Sequence, residues 1–490
     1  MNDTFRPIAR LARGFMDRRA GELRAERRII EAVSNVYERY GFERLDTGSF
    51  EYADALGKFL PDADRPNEGV FALQDDDEQW MALRYDLTAP LARFVAQNWE
   101  SLPKPFRRYA FGTVWRNEKP GPGRGREFIQ CDADTVGSAR PESDAEMIAL
   151  AVEGYEAAGL DPADYVLKIN NRKLLNGLLA SAGVADARQQ MAVLRAVDKL
   201  DRLGADGVRY LLGAGRKDES GAFTPGAGLG AKAIEAVLAF VSASSAGSRD
   251  ATLNEIAKVV AGSAEGDAGL EELSKISAAL TCLGVADDRA RIDPSVVRGL
   301  EYYTGAVFEA ELLLQTKDER GAAISFGSMG GGGRYDDLVA RFTGETTPAT
   351  GFSFGVSRLA SALRAAGKDE ASVARGPVVV IAFDQADMPH YFAAAGELRA
   401  AGIPAEVYLG GSGMKAQMKY ADRRFSPAAI MLGGDEIAAG NVTIKDLDQG
   451  RAAAAGLTDH AQWKEGRPGQ VTAPRGELVA IIRRIVESTQ

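Results

Sequence analysis

The sequence predicts an α+β protein with a strand-rich N-terminal domain, a mostly helical insertion in that domain, and a small α/β domain at the C-terminus. Three observations lead to this prediction. Short strand-like segments lie before residue 180 and return between 296 and 329. The stretch at 180–285 is rich in Ala, Leu and Gly and favours short helices. Beyond residue 376, strand and helix patterns alternate, which is typical of an α/β domain.

The length of 490 residues is enough for two or three domains. We place the first at 1–365, interrupted by the insertion at 180–285, and the second at 376–490, after a polar linker. The net charge of −10 argues against a nonspecific nucleic-acid binder but leaves a selective RNA partner open. The longest apolar runs are too short to cross a bilayer, and the N-terminus lacks the apolar core of a secretion signal, so we expect a cytoplasmic protein with no membrane partner.

Cysteine and histidine are too scarce and too scattered to form a metal site. Cys131 and Cys282 lie far apart, and both histidines, His390 and His460, fall in the C-terminal quarter. We therefore expect the chemistry to depend on arginine, carboxylate, tyrosine and backbone groups, with no metal held by protein side chains.

The first elements in the chain are a helix and a strand. Apolar residues recur at helical spacing over 22–40, and Gly41 is a plausible stop. A strand is predicted at 42–45. Further on, strands at 107–115 and 127–136 flank a connection rich in Gly, Pro and Arg, which predicts an antiparallel hairpin.

The segment at 83–88 places a carboxylate beside a hydroxyl. Asp86 and Thr88 offer oxygen acceptors, which an ammonium group with three N–H donors requires. The alternative is that either residue simply caps the start of a helix.

The predicted hairpin carries two sets of polar residues. Its connection contains arginines whose planar forks suit phosphate or carboxylate groups: Arg116, Arg124 and Arg126. Its second strand places polar residues on one face at period two: Gln130, Asp132 and Asp134. These three could line one pocket. The alternative for the connection is an exposed basic hairpin.

Three later segments combine glycine, tyrosine and arginine. Arg298 precedes Tyr302 and Tyr303, although aromatic strands are usually core. A glycine run at 330–333 precedes Tyr335 and would allow close approach to a ligand, or form only a flexible loop. Arg358 follows a glycine at a strand–helix junction, where a helix N-terminus suits phosphate, although an arginine there is common.

Together these segments resemble the signature motifs of class II aminoacyl-tRNA synthetases and, more closely, the histidyl-tRNA synthetase family. The helix and strand at 22–45 resemble the dimer-forming motif 1, the hairpin at 116–134 resembles motif 2, and 351–359 resembles motif 3. Two further segments, 298–309 and 331–336, match the motifs that distinguish the histidine enzymes, and 414–422 resembles the anticodon-binding domain.

The resemblance implies a fold, an activity and partners. The fold is the antiparallel-sheet catalytic domain of class II synthetases with a helical insertion, followed by an α/β anticodon-binding domain. The activity is that of a ligase, which activates L-histidine with ATP and transfers it to the 3′ end of tRNA(His). Mg²⁺ is expected with the ATP, and a homodimer is implied.

The resemblance also implies roles for residues around the nucleotide. Arg116 would bridge the histidine carboxylate and the α-phosphate, with Arg298 on the other side, so these two are the expected catalytic residues. Arg358 and Arg124 would hold the γ-phosphate end. Glu118 would approach the adenine or a magnesium shell.

For histidine, the resemblance assigns Asp86, Thr88 and Gln130 to the α-ammonium group and Asp134 and Tyr303 to the ring nitrogens. Tyr302 and Tyr335 are expected in the same pocket. The residues expected to contact tRNA are Gly121, Arg126, Lys415, Lys419 and Arg423, with Arg424 as a further basic candidate. For the basic residues between 415 and 424, an ordinary solvated helix face is an equal alternative.

The sequence departs from the family pattern at three positions. Gly121 stands where a glutamine is usual, which leaves dependence on an extra 5′ guanosine of the tRNA open. Ser357 stands where an acid is common, and Asp134 replaces a common glutamate. The alternative function is that of the inactive paralogue that regulates ATP phosphoribosyltransferase. It usually lacks the anticodon domain and the Arg298 motif, and both patterns are present here.

Overall fold

The computed structural model describes residues 8–56, 69–121, 125–184, 186–217, 221, 223–243, 248–297, 303–314, 316–317, 323–324, 326–369, 375–455 and 469–488. The chain forms two compact units, Met1–Asp369 and Glu370–Gln490, called here the N-terminal and C-terminal units. None of the helices in these ranges is both long enough and apolar enough to cross a membrane.

Helices and strands of the N-terminal unit alternate along the chain. The helices are α1 (Ala20–Arg39), α2 (Ala53–Leu56), α3 (Thr88–Asn98), α4 (Pro141–Ala157), α5 (Arg172–Ser181), α6 (Ala187–Val197), α7 (Leu200–Leu212), α8 (Ala231–Val241), α9 (Arg249–Val260), α10 (Ala264–Cys282), α11 (Ala340–Thr343) and α12 (Val356–Ala365). The strands are β1 (Glu43–Arg44), β2 (Phe50–Tyr52), β3 (Ala72–Gln74), β4 (Trp80–Leu83), β5 (Phe106–Trp115), β6 (Glu127–Val136), β7 (Tyr165–Asn171), β8 (Gly215–Lys217), β9 (Phe223–Pro225), β10 (Ala290–Ile292), β11 (Ala306–Leu312), β12 (Thr316–Lys317), β13 (Ala323–Ile324), β14 (Ser328–Arg334) and β15 (Ala349–Gly355).

A large sheet is the centre of this unit. In the described residues it has eight strands in the order β1-β5-β6-β15-β14-β11-β7-β10. The pairs from β5 to β7 are antiparallel, and only the outermost pairs, β1 with β5 and β10 with β7, are parallel. A smaller antiparallel sheet, β2-β4-β3, and the hairpins β8–β9 and β12–β13 lie outside it.

Helices α1 and α4 cover one face of the large sheet. The apolar stripe of α1 is buried at Val33, Val36 and Tyr37, in one core with Cys131 and Ala133 of β6. The helix predicted at 22–40 is therefore confirmed as Ala20–Arg39. Gly41 follows with φ of 78°, a conformation that glycine adopts without strain and that ends the helix.

The predicted strands of the hairpin are confirmed, and the glycine run is part of the sheet. The hairpin strands are β5 and β6, paired over their full length. Residues 330–333 lie in β14, so the alternative of a flexible glycine loop is wrong. A Cβ at Gly332 would lie 2.0 Å from the Gly351 carbonyl oxygen, so only glycine allows β14 to approach β15 this closely.

Between 180 and 285, the described residues form helices α6 to α10 and the hairpin β8–β9. Their buried side chains, such as Val237, Ile256 and Leu273, belong to the same hydrophobic core as the helices on the large sheet. Helix α10 packs on both α4 and α5, which joins this segment to the sheet domain.

The C-terminal unit is a separate α/β layer structure. Its strands are β16 (Val378–Ile381), β17 (Ala405–Val407), β18 (Ala428–Met431), β19 (Asn441–Asp446) and β20 (Gln470–Pro474). Its helices are α13 (Met388–Ala400), α14 (Met414–Arg423), α15 (Gly434–Ala439), α16 (Leu447–Ala455) and α17 (Leu478–Glu487), with a 3-10 turn at Arg475–Glu477. The described strands form one sheet in the order β17-β16-β18-β19-β20, parallel among the first three and antiparallel beyond them.

Candidate active site

The face of strand β6 that points away from α1 and α4 is polar, and its side chains are buried. Cys131 and Ala133 point toward the helices, so alternation directs Gln130, Asp132 and Asp134 to the opposite face. These three side chains are only 8%, 1% and 2% exposed. Burying three polar groups on one strand is unfavourable unless they serve a partner, so this face is a candidate site. We call it the polar floor.

Small residues flank the polar floor on both neighbouring strands, except at Arg108 of β5, which lies opposite Asp134. Asp132 lies between Ala110 of β5 and Ser353 of β15 in the strand register. Asp134 is paired with Gly351. A Cβ added at residue 351 would lie 2.0 Å from the Oδ1 atom of Asp134. A side chain at residue 351 would therefore displace the Asp134 carboxylate.

Asp134 is held by two partners, one on strand β5 and one directly after β14. The Tyr335 hydroxyl donates to its Oδ1 atom, and the Arg108 Nη2 atom lies 2.9 Å from its Oδ2 atom. Arg108 is itself buried and also donates to the Leu87 carbonyl oxygen at 2.8 Å. Burial raises the pKa of Asp134, whereas Arg108 and Tyr335 lower it. The carboxylate is thus fixed in position before any ligand arrives.

Asp132 has a different environment. Neither of its oxygens has a hydrogen-bond partner among the residues that the structure describes. Burial, followed by the charge of Asp134, raises the pKa of Asp132 to about 7, while Arg108 and the nearby Ser353 hydroxyl act in the opposite direction. Gln130 donates from Nε2 to the Ser353 Oγ atom at 2.7 Å, but its Oε1 atom accepts no hydrogen bond from the described chain.

Asp86 caps a helix beside this floor. Its Oδ1 atom accepts hydrogen bonds from the backbone N–H groups of Thr88 and Ala89, at 3.1 and 2.9 Å. The Asp86 side chain therefore serves the start of α3, as the alternative predicted, although the N-cap residue itself is Leu87. Its negative charge also raises the pKa of both Asp132 and Asp134, so it lies close to them. Its role toward an ammonium group stays a prediction.

Tyrosines lie at the Asp134 end of the floor. Tyr303 is so close to β14 that a Cβ at Gly333 would come within 3.0 Å of its ring. The charge interactions of Tyr335 include both Asp134 and Tyr303. The structure thus brings together Asp134 and Tyr303, which the resemblance assigned to the ring nitrogens, and Tyr335, which was expected in the same pocket. Tyr302 lies outside the described residues.

Arg116 lies at the other end of the site, directly after β5. Its guanidinium carbon is 4.4 Å from the centre of the Tyr85 ring, and its Nε atom donates to the Tyr85 carbonyl oxygen at 3.3 Å. The Tyr85 hydroxyl in turn donates to Glu118 at 2.7 Å. Burial raises the pKa of Tyr85 to about 12; Arg116 opposes the rise and Glu118 adds to it. Tyr85 therefore orients both the arginine and the acid.

Arg358 lies in the first turn of α12, directly after the end of β15. Its Nη1 atom donates to the Ser328 carbonyl oxygen at the start of β14. The register pairs Gly355 with Gln130 and Trp115 with Glu127. Arg116 and Arg358 therefore lie at the same end of the sheet, opposite to the tyrosines. Arg124 and Arg298 lie outside the described residues.

The residues expected to contact tRNA are partly engaged. Arg126 donates from Nε to the Glu118 carbonyl oxygen at 3.0 Å, and Gly121 is exposed. On α14 the side chains of Lys415, Lys419 and Arg423 are exposed. Arg424 is paired with Glu406 through two contacts of 3.2 Å, which makes it the weakest of the basic candidates.

Sequence reasoning missed two buried charged groups that shape the site. Arg108 was not singled out, although a charged residue in the middle of a predicted strand is a signal. Glu26 was also missed, although it lies among the apolar positions of the first helix. The Ser357 hydroxyl donates to Glu26 at 2.6 Å and accepts from the Ile129 N–H at 3.0 Å. Glu26 of α1 is also paired with Arg18 at 2.8 Å. Its carboxylate thus contacts residue 357, the position at which the family commonly has an acidic residue and this chain has serine.

A largely antiparallel sheet covered by helices on one face, with a polar floor and arginines at one end of the other, is the catalytic domain of a class II aminoacyl-tRNA synthetase. The model of the family described as histidyl-tRNA synthetase matches residues 14–359, and that of the anticodon binding domain matches 377–463. The chain belongs to the histidyl-tRNA synthetase family, which confirms both the family and the fold class predicted from the sequence.

Full-length relatives agree with this assignment. A histidine–tRNA ligase of Caulobacter vibrioides is 76% identical over 485 residues, which is 99% of this chain and 98% of the relative. The histidine–tRNA ligase of Brucella suis biovar 1 is 54% identical, with coverage of 98% and 96%. The crystal structure of histidyl-tRNA synthetase from a Nostoc species is 28% identical, with a TM-score of 0.71 and coverage of 98% and 100%. The regulatory paralogue is not favoured.

Proposed function

We propose that the polar floor and the two ends of the site bind histidine and ATP side by side while the chain ligates histidine to tRNA. Histidine–tRNA ligation with ATP as substrate is the activity of the family and of the full-length relatives. The observation that supports two separate ends of the site is the register in which β6 pairs with β5 and β15. It separates Asp134 and its tyrosines from Arg116 and Arg358, with Gln130 and Asp132 in between.

The imidazole ring of histidine is proposed to lie at the Asp134 end. The ring carries one N–H donor and one nitrogen acceptor, so it needs both an acceptor and a donor in the protein. The Asp134 carboxylate supplies the acceptor, and the Tyr303 hydroxyl is the candidate donor. A buried site that hydrogen-bonds both nitrogens rejects analogues lacking them by about 10⁴–10⁵. Tyr302 and Tyr335 are proposed to complete the pocket.

The ATP phosphates are proposed to lie at the arginine end. Adenylate formation brings an anionic carboxylate to an anionic phosphate, so fixed positive charge must offset their repulsion. Stacking on Tyr85 holds the Arg116 guanidinium in one orientation before the substrates bind. Arg358 and Arg124 are assigned to the γ-phosphate end, Arg298 to the α-phosphate, and Glu118 to the adenine side.

Mg²⁺ is proposed to be held mainly by the phosphates of ATP. The described residues contain no cluster of three acidic, histidine or cysteine side chains that could hold a metal ion. This fits Mg²⁺, which keeps several waters and usually binds through substrate phosphates with one or two carboxylates. The ion would neutralise phosphate charge, with Glu118 as the nearest candidate carboxylate.

Binding of tRNA is proposed to involve both units. Unpaired anticodon bases are usually read by splayed stacking and hydrogen bonds, and exposed Lys415, Lys419 and Arg423 on α14 are the candidates for phosphate contact. At the acceptor end, Arg126 and Gly121 belong to the hairpin connection.

A homodimer is also proposed. Tyr52, Met81 and Leu73 lie side by side across the small sheet, and Tyr52 and Leu73 are exposed. The proposal rests on the resemblance of 22–45 to the dimer-forming motif 1, and these side chains are candidates for part of the contact. Light scattering coupled to gel filtration should give twice the mass of the chain, and a monomer at micromolar concentration would contradict the proposal.

The test of the proposed function is histidine-dependent exchange between ATP and pyrophosphate, followed by tRNA charging. In the Asp134→Ala variant we expect the histidine KM to rise far more than the ATP KM. Equal changes in both would remove Asp134 from ring recognition. Charging without histidine-dependent exchange would overturn the proposed course of the reaction.

A further inference from the structure

Apart from the Oδ2 atom of Asp134, which faces Arg108 at 2.9 Å, the polar floor contains three buried acceptor atoms without a partner at hydrogen-bond distance in the described part of the chain. They are the two carboxylate oxygens of Asp132 and the Oε1 atom of Gln130. Both side chains are more than nine-tenths buried, and both lie next to the Ser353 hydroxyl. A buried acceptor without a donor is destabilising by about 1–3 kcal/mol, so three together call for a partner that supplies donors.

A ligand that fits three acceptors presents several donors, and a positive charge on it would compensate for the buried carboxylate. A primary ammonium group has three N–H donors and no acceptor. The imidazole ring has a single N–H donor in its neutral form and would leave two acceptors unserved. We propose that Asp132 binds the α-ammonium group of histidine, together with Gln130, an inference that rests on the proposed function of this site.

Asp132 and Asp134 are therefore distinct in role, although they are two residues apart on one strand. Asp134 is already fixed by Tyr335 and Arg108, whereas the only hydrogen-bond donor that acts on Asp132 among the described residues is the nearby Ser353 hydroxyl, which is not at close hydrogen-bond distance. The other charged groups close to Asp132 are Arg108, Asp86 and Arg84. Arg84 is engaged by backbone carbonyls of Thr47 and Thr113. An incoming ammonium group would offset the charge that Asp134 and Asp86 place beside Asp132.

The competing explanation is that Asp132 only balances the buried charge of Arg108. The Nε and Nη1 atoms of Arg108 are also buried without a partner in the described structure. If that is the purpose of Asp132, its removal should destabilise the fold and weaken all ligands alike. If Asp132 serves the ammonium group, its removal should weaken only ligands that carry one.

The test compares two histidine analogues on the Asp132→Asn variant of the full chain. Histidinol keeps the ammonium group, and imidazole-lactate has a hydroxyl group in its place. We expect the histidine KM and the histidinol inhibition constant to rise about 10- to 100-fold, because the acceptor loses the negative charge that faces the ammonium group. The inhibition constant of imidazole-lactate and the ATP KM should change less than about threefold.

Two variants keep the result interpretable. Asp161→Asn removes an exposed acid that contacts only Lys368 in the described structure, and should leave all four constants unchanged. If Asp132→Asn does not fold, Ser353→Ala tests the same subsite. It removes the hydroxyl that anchors Gln130, so histidinol should weaken several-fold while imidazole-lactate does not.

Each outcome decides one question. Equal weakening of both analogues, or of neither, overturns the role of Asp132 at the ammonium group. Loss of thermal stability in Asp132→Asn at pH 8 supports the Arg108 explanation instead. Absence of histidine-dependent exchange in the unmodified chain would contradict the proposed function, independently of Asp132.

Discussion

Two buried aspartates of the N-terminal unit, Asp144 and Asp132, are alike in burial but differ in the partners that the fold gives their carboxylates. Each is 1% exposed, and burial raises the pKa of Asp144 to about 6 and that of Asp132 to about 7. Asp144 accepts hydrogen bonds from Arg334 at 2.7 and 3.1 Å, and Arg334 also donates to the carbonyls of Ser138 and Arg140. In the described residues, both oxygens of Asp132 lack a hydrogen-bond partner, whereas only Oδ1 of Asp144 does.

The difference lies in whether the protein supplies the partner. Around Asp144 the charges are matched within the fold, so the group contributes to a defined arrangement of α4 and β14. Around Asp132 the acceptor atoms are available to a ligand, which we propose is the ammonium group of histidine. Burial alone would therefore not distinguish a structural acid from a ligand-binding acid, whereas the partners of each carboxylate do.

The largest expected effect is the loss of the structural pair. Arg334→Ala would leave Asp144 buried without its cation, and breaking such a pair destabilises by about 3–5 kcal/mol. Chemical denaturation should show this loss. Lys258→Ala, which removes an exposed pair with Glu255, should change stability by less than about 1 kcal/mol. Similar losses in the two variants would break the comparison.

The next largest effect is on catalysis. Arg116→Ala removes a positioned donor to the charge that develops during adenylate formation, and such losses reduce the rate by about 10²–10³. ATP–pyrophosphate exchange measures this, with the thermal unfolding temperature as a check on the fold. Arg27→Ala, in an exposed helix pair, is the matched control and should exchange normally. A near-normal rate in Arg116→Ala would refute its role.

The third effect is a gain of stability at the site. The pKa of Asp132 lies above its ordinary value of 3.8, so the folded chain binds more protons than the unfolded chain between about pH 4 and pH 7. Stability therefore falls as the pH rises through this window. A pKa rise of about three pH units corresponds to about 4 kcal/mol, and burial of the Asn amide offsets part of it. Asp132→Asn should therefore stabilise the fold by about 2–4 kcal/mol at pH 8, and by little at pH 4. Thermal unfolding at both pH values checks the sign.

The smallest effect concerns the anchor of Asp134. Tyr335→Phe removes one donor to a buried carboxylate, at a cost of about 1–2 kcal/mol. We expect a histidine KM raised about 5- to 30-fold with the ATP KM unchanged, measured by exchange kinetics. An unchanged histidine KM would show that Asp134 does not need this tyrosine.

Local sequence patterns were sufficient to predict many of the helices and strands. Helical spacing gives α1, and period-two alternation gives the face that holds Gln130, Asp132 and Asp134. The glycine run shows the limit of such patterns, because its place in β14 follows from contact with β15 rather than from local preference.

The partners in the site could not be predicted from the sequence. Tyr335 and Asp134 are 201 residues apart, and Ser357 and Glu26 are 331 apart, so only the folded sheet brings them together. The sequence likewise does not show which group Arg108 pairs with, because only the strand register places it opposite Asp134. Which acids are paired, and which are left for a ligand, is a property of the tertiary structure.

The most direct measurement is a crystal structure of the chain with histidine bound. The α-nitrogen of histidine should lie within about 3 Å of an Asp132 carboxylate oxygen and of the Gln130 Oε1 atom, while a ring nitrogen faces Asp134. An ammonium group placed elsewhere, with Asp132 turned onto Arg108, would contradict the division between the two buried acids.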